Sequence, residues 1–207
     1  MQGKFITLEG GEGVGKSTQL QKLAETLRAQ GKTVITTREP GGTNGAEDIR
    51  ALLMSGDDDR WNAQTEALLF AAARADHVAK LIRPALDRGD WVLCDRFIDS
   101  TRAYQGGAGG LSDTDIMALH KVGSGGLLPD MTLLLDMPVA IGSERVYGRD
   151  MLNADRMGSK ETAYYDRVKA TFLRLADADP ARFRVIDADG SVEAITARLI
   201  AAMEPLL

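Results

Sequence analysis

A glycine-rich segment near the start of the chain constrains the fold more than any other feature. Residues 10–17 read GGEGVGKS and match the pattern G-x-x-x-x-G-K-[ST]. Glycines let successive backbone N–H groups point at an anion, and a following helix adds its positive N-terminal end. The alternative is a chance glycine-rich turn. An apolar strand pattern precedes the motif and a helical pattern follows it, so we predict a phosphate-binding loop.

The side chains of this loop have separate predicted roles. Lys16 is expected to reach the β- and γ-phosphates of a bound nucleoside triphosphate, and the Ser17 hydroxyl is expected to bind Mg²⁺. Asp95, after an apolar strand pattern, is the second candidate ligand for that ion. The predicted nucleotide-binding residues are Gly10, Gly11, Glu12, Gly13, Val14, Gly15, Lys16, Ser17 and Thr18.

Short apolar runs alternate with helical patterns along the rest of the chain. Strands are predicted at residues 5–8, 33–37, 91–94, 131–135 and 183–186, and helices at 17–30, 46–54, 63–86 and 191–203. The glycine-rich stretch 106–110 is predicted to be a flexible loop. This alternation predicts an α/β fold with a five-stranded parallel sheet and helices on both faces. Ligands of such sheets bind at the carboxyl ends of the strands.

The composition of the chain indicates which kinds of molecule it can bind and where in the cell it works. The net charge of −5 disfavours binding to a nucleic-acid backbone, so phosphate must be held by local cations. The single cysteine excludes an intrachain disulfide. Neither a signal peptide nor an apolar run long enough to span a membrane is visible. We therefore expect a cytoplasmic protein without nucleic-acid or membrane partners.

A phosphate loop alone does not name a reaction. The N-K-x-D guanine motif of signalling GTPases is absent from the sequence. Arg96, beside Asp95, is suited to bind an acceptor phosphate, although a salt bridge at the strand end is the simpler alternative. Arg149 and Arg156 lie in the polar stretch 147–158, which is either a lid that closes over the γ-phosphate or a solvated helix face.

Phe70 and Arg74 are four residues apart, so they share one face of the predicted helix. A phenyl ring can stack on a base and an arginine can donate to a base carbonyl. A lone phenylalanine on a helix is more often a core residue. Tyr104 and Gln105 are equally ambiguous on their own.

Five segments in order resemble bacterial thymidylate kinases over essentially the whole chain. They are LEGGEG at 8–13, REPGGT at 38–43, LFAAAR at 69–74, DRF at 95–97 and STRAYQG at 100–106. The first segment is generic, whereas the REPGGT and DRF…STRAYQG segments together are specific. The resemblance implies the fold of a P-loop nucleoside monophosphate kinase, with one kinase domain over 1–207 and a short lid near 147–158. It also implies a homodimer.

The implied reaction is phosphoryl transfer from ATP to dTMP, giving ADP and dTDP with Mg²⁺. A deoxynucleoside kinase acting on thymidine is the first alternative, but it would need a carboxylate base near a free 5′-hydroxyl. A non-enzymatic phosphate-loop switch is the second alternative. The cations Arg38 and Arg96 favour an acceptor that is already a phosphate.

The resemblance also implies roles for the acceptor site. Phe70 would stack on thymine, Arg74 would contact a thymine carbonyl, and Thr101 would lie near the base edge. The other implied substrate-binding residues are Glu12 near the sugar 3′-hydroxyl, Arg38 and Arg96 on the acceptor phosphate, Ser100 and Gln105 around the base, and Tyr104 at the sugar 2′ position. A cis peptide bond before Pro40 is expected as well.

Some members of the family carry an arginine within the phosphate loop, but Glu12, Gly13 and Val14 stand there in this chain. The resemblance is therefore to the class that supplies the catalytic arginine from the lid. The expected catalytic residues are Lys16, Arg96, Arg149 and Arg156, with Arg156 the first choice between the two lid arginines.

Overall fold

The computed structural model describes residues 3–57, 59–142 and 161–207. Five strands within these ranges form one parallel sheet in the order β2-β3-β1-β4-β5. They are β1 (Phe5–Glu9), β2 (Val34–Arg38), β3 (Trp91–Asp95), β4 (Met131–Asp136) and β5 (Phe183–Asp187). The predicted five-stranded parallel sheet is confirmed, and each strand ends one residue beyond its predicted end.

Helices connect the strands. They are α1 (Lys16–Ala29), α2 (Asn44–Met54), α3 (Ala63–His77), α4 (Arg83–Asp87), α5 (Ile98–Thr101), α6 (Asp113–Ser124), α7 (Thr162–Ala178) and α8 (Val192–Met203). Several begin at a side-chain cap: the side chains of Thr43, Asn62, Ser112 and Ser191 each accept from a backbone N–H in the first turn. None of the described helices has the length and apolarity needed to cross a bilayer.

The core lies on both faces of the sheet because successive strand residues point to opposite sides. Ile6 and Leu8 of β1 belong to a buried cluster with residues of α1 and α8, including Leu23 and Leu199. Phe5 belongs to the opposite cluster, which includes Phe97. A third cluster joins α7 to the segment around Tyr104. Helices therefore cover both faces, as predicted.

The register brings the polar ends of the strands to one edge. Asp95 pairs with Arg38 on one side and with Leu8 on the other, and Asp136 pairs with Asp187. The phosphate-loop motif leaves β1 at this edge. The sheet thus presents the charged ends of these strands together, at the edge where ligands of such sheets bind.

One local prediction was wrong. The stretch 106–110 is not wholly a loop, because Arg102–Ala108 form a π-helical segment that continues α5. A Cβ at Gly107 would overlap Thr171 of α7, so close packing explains this glycine better than loop freedom does. The helical pattern predicted over 63–86 is confirmed as a continuous helical run, in which a π-helical segment, Val78–Ile82, lies between α3 and α4. Helices α6 and α7 were not predicted, and the expected lid at 147–158 lies outside the described residues.

Candidate functional site

The phosphate-loop motif forms a tight turn between β1 and α1. Gly10, Gly13 and Gly15 have φ angles of 138°, 71° and 95°, a region that favours glycine. A Cβ at Gly10 would lie 2.5 Å from the carbonyl oxygen of Leu135, and one at Gly13 would overlap the backbone of Gly142. The motif therefore needs glycine both for its backbone angles and for its fit against neighbouring backbone.

Lys16, at the first turn of α1, folds back over this turn. Its ammonium group donates to the carbonyl oxygens of Gly11 at 2.7 Å and Gly10 at 3.3 Å. Burial, followed by the nearby charge of Arg96, lowers the pKa of Lys16 to about 8. The lysine is a cation held inside the loop, where it can exchange its carbonyl partners for phosphate oxygens.

Ser17 and Asp95 meet at the carboxyl edge of the sheet. The Ser17 hydroxyl donates to the Asp95 carboxylate at 2.7 Å, joining the start of α1 to the end of β3. A hydroxyl and a carboxylate are hard oxygen ligands of the kind that Mg²⁺ accepts. Across the described residues, no group of three or more acidic, histidine or cysteine side chains could hold a metal.

Arg96 follows β3 with φ 70°, a left-handed conformation that is uncommon for a residue with a side chain. Its guanidinium group donates to the Glu12 carboxylate at 2.6 Å, the Gly10 carbonyl at 3.0 Å and the Ser100 hydroxyl at 3.1 Å. The group also lies 5.0 Å from the centre of the Tyr104 ring. Arg96 therefore joins the phosphate-loop motif to the segment of residues 100–105.

Glu12 is the acidic centre of this contact. Burial alone would raise the pKa of Glu12, but the charges of Arg96 and then Lys16 outweigh burial and lower it to about 2. The Tyr104 hydroxyl donates to the same Glu12 oxygen at 3.0 Å. Glu12 is consequently an ionised carboxylate in contact with Arg96 and Tyr104.

A second group of predicted residues surrounds α3. Arg74 is buried and donates to the Thr101 hydroxyl at 3.0 Å. Gln105 is also buried and donates from its amide to the Glu66 carboxylate at 3.2 Å. Phe70 lies one turn before Arg74 on α3 and is half-buried, so it is not a full core residue. The bonds of Arg74 and Gln105 thus join α3 to α5 and to the π-helical segment after α5.

Arg38 ends β2 and is exposed, with its guanidinium group 3.1 Å from the Glu47 carboxylate of α2. The structure does not join it to Arg96. The peptide bond between Glu39 and Pro40 is cis, as the resemblance implied. Arg149 and Arg156 lie outside the described residues, so their predicted catalytic role remains a prediction.

Sequence reasoning assigned no role to three buried residues near the site. Glu9, the last residue of β1, accepts from the Phe97 backbone N–H at 2.8 Å and from the Ser100 hydroxyl at 2.5 Å. Burial, followed by the charge of Asp99, raises the pKa of Glu9 to about 8. Glu39 and His77 contact each other beside Arg74. The strand-end position of Glu9 and the place of Glu39 in REPGGT were available signals, whereas His77 had none.

Comparison with known proteins identifies the family of the chain. The family model for thymidylate kinase matches residues 8–199. A thymidylate kinase of Rhizorhabdus wittichii is 59% identical over 207 residues, covering 100% of both chains. One from Caulobacter vibrioides is 51% identical over 198 residues, covering 96% of this chain and 94% of the relative.

The fold is shared with a solved structure as well. The crystal structure of thymidylate kinase from Ehrlichia chaffeensis superposes with a TM-score of 0.80 at 32% identity, covering 98% of this chain and 100% of that one. The predicted class, a P-loop nucleoside monophosphate kinase fold, is therefore confirmed. The family model and the relatives show that the chain belongs to the thymidylate kinase family.

Proposed function

We propose that this protein transfers the γ-phosphoryl group of ATP to dTMP, giving ADP and dTDP. One observation carries the proposal on the structural side. Arg96 joins the phosphate-loop motif, through Gly10 and Glu12, to Ser100 on the segment that the family uses for its acceptor. A phosphoryl-transfer enzyme must hold a donor and an acceptor phosphate side by side, and a cation between two such segments suits that need.

The donor half of the site would work as follows. Backbone N–H groups of residues 10–18 cradle the β- and γ-phosphates, and Lys16 moves from the carbonyls of Gly10 and Gly11 onto phosphate oxygens. Ser17 and Asp95 would hold Mg²⁺, which when bound neutralises charge on the phosphates. The lowered pKa of Lys16 rises again beside phosphate, because a nearby anion favours the charged amine.

The acceptor half would use Arg96, the residues that contact it, and Arg38. Arg96 and Arg38 hold the dTMP phosphate, and Glu12 contacts the sugar 3′-hydroxyl. Tyr104, fixed by its bond to Glu12, occupies the position next to the sugar C2′ atom and so disfavours a ribonucleotide. Ion-paired arginines and carboxylates in the acceptor half are preorganised, which lowers the reorganisation needed when charge develops during transfer.

The base would lie against α3 and α5. Phe70 stacks on thymine, Arg74 donates to a thymine carbonyl, and Thr101 with Ser100 and Gln105 shapes the base edge. A guanidinium group has only donors, so it complements a carbonyl and not an amino group. Arg149 and Arg156 of the expected lid would neutralise the transferred phosphoryl group, with Arg156 as the first choice.

A coupled ADP-release assay tests the proposal. The protein is supplied with ATP, Mg²⁺ and one acceptor at a time: dTMP, dCMP, UMP, AMP, GMP or thymidine. We expect dTMP to be the preferred acceptor and thymidine to be inactive, because Arg96 is built for an acceptor that already carries a phosphate. Preference for thymidine over dTMP would establish a deoxynucleoside kinase instead, and nucleotide binding without transfer to any acceptor would indicate a switch.

The assembly is proposed to be a homodimer of single-domain chains in the cytoplasm. Helices α3 and α6 pack together and expose Leu68 and Val122, which are 56% and 88% accessible. Exposed apolar side chains on adjacent helices support an interface at this face. Sedimentation velocity should show a dimer that Val122→Asp converts to monomer. A wild-type monomer at micromolar concentration would contradict the homodimer and leave the proposed reaction standing.

A further inference from the structure

The carboxylate of Glu39 lies at the centre of a buried polar cluster behind the base pocket. One of its oxygens accepts from Arg74 Nε at 2.7 Å, and the other is 3.0 Å from His77 Nδ1. The side chains of Glu39, Arg74 and His77 are 4%, 3% and 0% exposed. A buried ion pair of this kind needs all its hydrogen bonds, because an unmatched buried charge is strongly destabilising.

His77 is held from two sides. Its Nδ1 atom donates to Glu39, since an ionised carboxylate can only accept, and its Nε2 atom is 2.7 Å from the Thr37 hydroxyl. The backbone of the REPGGT loop covers this second contact, and a Cβ at Gly42 would come within 2.5 Å of both groups. The imidazole ring therefore has no room to turn, and it fixes the Glu39 carboxylate in place.

Arg74 is constrained in turn. Its Nε atom bonds to Glu39, its Nη2 atom donates to Thr101, and its guanidinium carbon lies 5.2 Å from the centre of the Phe97 ring. These three contacts come from the REPGGT loop, from α5 and from the turn after β3. They set the plane of the guanidinium group before any substrate is present.

We propose that Glu39 and His77 are positioning residues that determine base selectivity through Arg74. The proposal rests on the proposed function, in which Arg74 donates to a thymine carbonyl. Thymine has a carbonyl acceptor where cytosine has an amino donor. An arginine that cannot rotate rejects the amino group, because two donors would face each other without an acceptor. An arginine released from Glu39 can turn aside, which weakens binding of dTMP and relaxes the rejection of dCMP.

Two histidine variants separate this role from a merely structural one. In His77→Asn the side-chain amide lies near the position of Nδ1 and keeps the bond to Glu39. In His77→Gln the amide lies near the position of Nε2 and keeps only the bond to Thr37. Glu39→Gln removes the negative charge itself. Ile195→Val, in the core cluster of α8 and remote from the pocket, is the control for modest destabilisation.

The measurement is kcat/KM for dTMP and for dCMP, together with KM for ATP. We expect the dTMP-to-dCMP ratio to fall about ten- to a hundredfold in Glu39→Gln and His77→Gln, mainly through KM for dTMP. His77→Asn and Ile195→Val should keep the wild-type ratio, and KM for ATP should be unchanged throughout. Should Glu39→Gln fail to fold, the two histidine variants still decide the question, because both keep the Glu39 carboxylate and differ only in whether it is held from the side of residue 77.

An unchanged ratio in His77→Gln, or equal ratios in His77→Gln and His77→Asn that both differ from wild type, would overturn the positioning role. Failure of the proposed function is a separate result. In that case the wild-type protein itself would show no preference for dTMP over dCMP.

Discussion

The buried carboxyl group of Glu9 predicts a specific dependence of stability on pH. Glu9 is 0% exposed and ends β1 beneath the turn that carries Arg96. Burial, and next the negative charge of Asp99, raise its pKa from 4.5 to about 8, although bonds from Ser100 and the Phe97 N–H and the charge of Arg96 oppose the rise. The group is therefore neutral in the folded protein near pH 7.

The direction and the size of this change in the free energy of unfolding follow from proton linkage. Between pH 4.5 and about 8 the folded protein keeps a proton that the unfolded chain has released. The stability that this group contributes is thus fully present below pH 4.5, the pKa of Glu9 in the unfolded chain. It is lost as the pH rises to about 8, the pKa of Glu9 in the folded protein. The free energy of unfolding should fall by about 1.4 kcal/mol per pH unit in this window, and by about 5 kcal/mol in all.

Glu9→Gln isolates this contribution, because glutamine has nearly the same shape and no titration. Urea unfolding of both proteins at about pH 5.5 and about pH 7.5 gives four free energies. Relative to the variant, wild-type protein should lose about 3 kcal/mol between the two conditions. The lowered pKa of His120 acts in the opposite direction near this range, but it is common to both proteins and cancels.

The shifts of Lys16 and Glu12 fall outside the chosen window. The pKa of Lys16 is about 8 against its ordinary value of 10.5, and the pKa of Glu12 is about 2 against its ordinary value of 4.5. Parallel pH profiles for wild type and Glu9→Gln would refute the reasoning, since they would mean that Glu9 is ionised in the folded protein. A profile that steepens in the variant would refute it as well.

Three further predictions concern the site and its frame. Lys16→Ala should lower kcat by about a hundredfold or more, because phosphate charge loses its main side-chain cation; unchanged turnover in a steady-state assay would contradict the assignment. In the wild-type protein, kcat/KM for ATP should decline as the pH rises through about 8, because Lys16 of the free enzyme loses its proton there. A flat profile to higher pH would contradict the lowered pKa of Lys16. Asp99→Asn should destabilise the protein by about 3–5 kcal/mol in urea, because the buried Asp99 carboxylate pairs with Arg182 and Arg102. Asp113→Asn is the matched control, since Asp113 is a 47% exposed partner of Arg102 and its loss should cost less than about 1 kcal/mol.

Much of the architecture could be read from local patterns. Each strand is a short apolar or β-branched run, and the alternation of such runs with helical patterns predicts a parallel sheet even though α6 and α7 gave no recognised signal. The phosphate-loop motif was predictable because its glycines, its lysine and its serine are consecutive. Arg38 and Asp95 could be placed at one edge for the same local reason, since each follows a strand.

The contacts that complete the site join residues far apart in the chain. Arg96 meets Glu12 across 84 positions, and Arg74 meets Glu39 across 35. No period or motif shows which carboxylate a given arginine will contact. The loop predicted at 106–110 was wrong for a related reason. A glycine-rich composition suggests a loop, but position 107 requires glycine because Thr171 packs against it.

The sequence by itself determined the chemistry of the phosphate loop, the fold class and the family, because each depends on residues close together in the chain or on an ordered set of short segments. Only the tertiary structure decided the environment of each group. It buries Glu9 as a neutral acid, places Glu12 as an ionised one opposite Arg96, and surrounds Arg74 with Glu39 and Thr101. Charge states and side-chain orientations depend on desolvation and on neighbours brought in by folding, and neither is encoded locally.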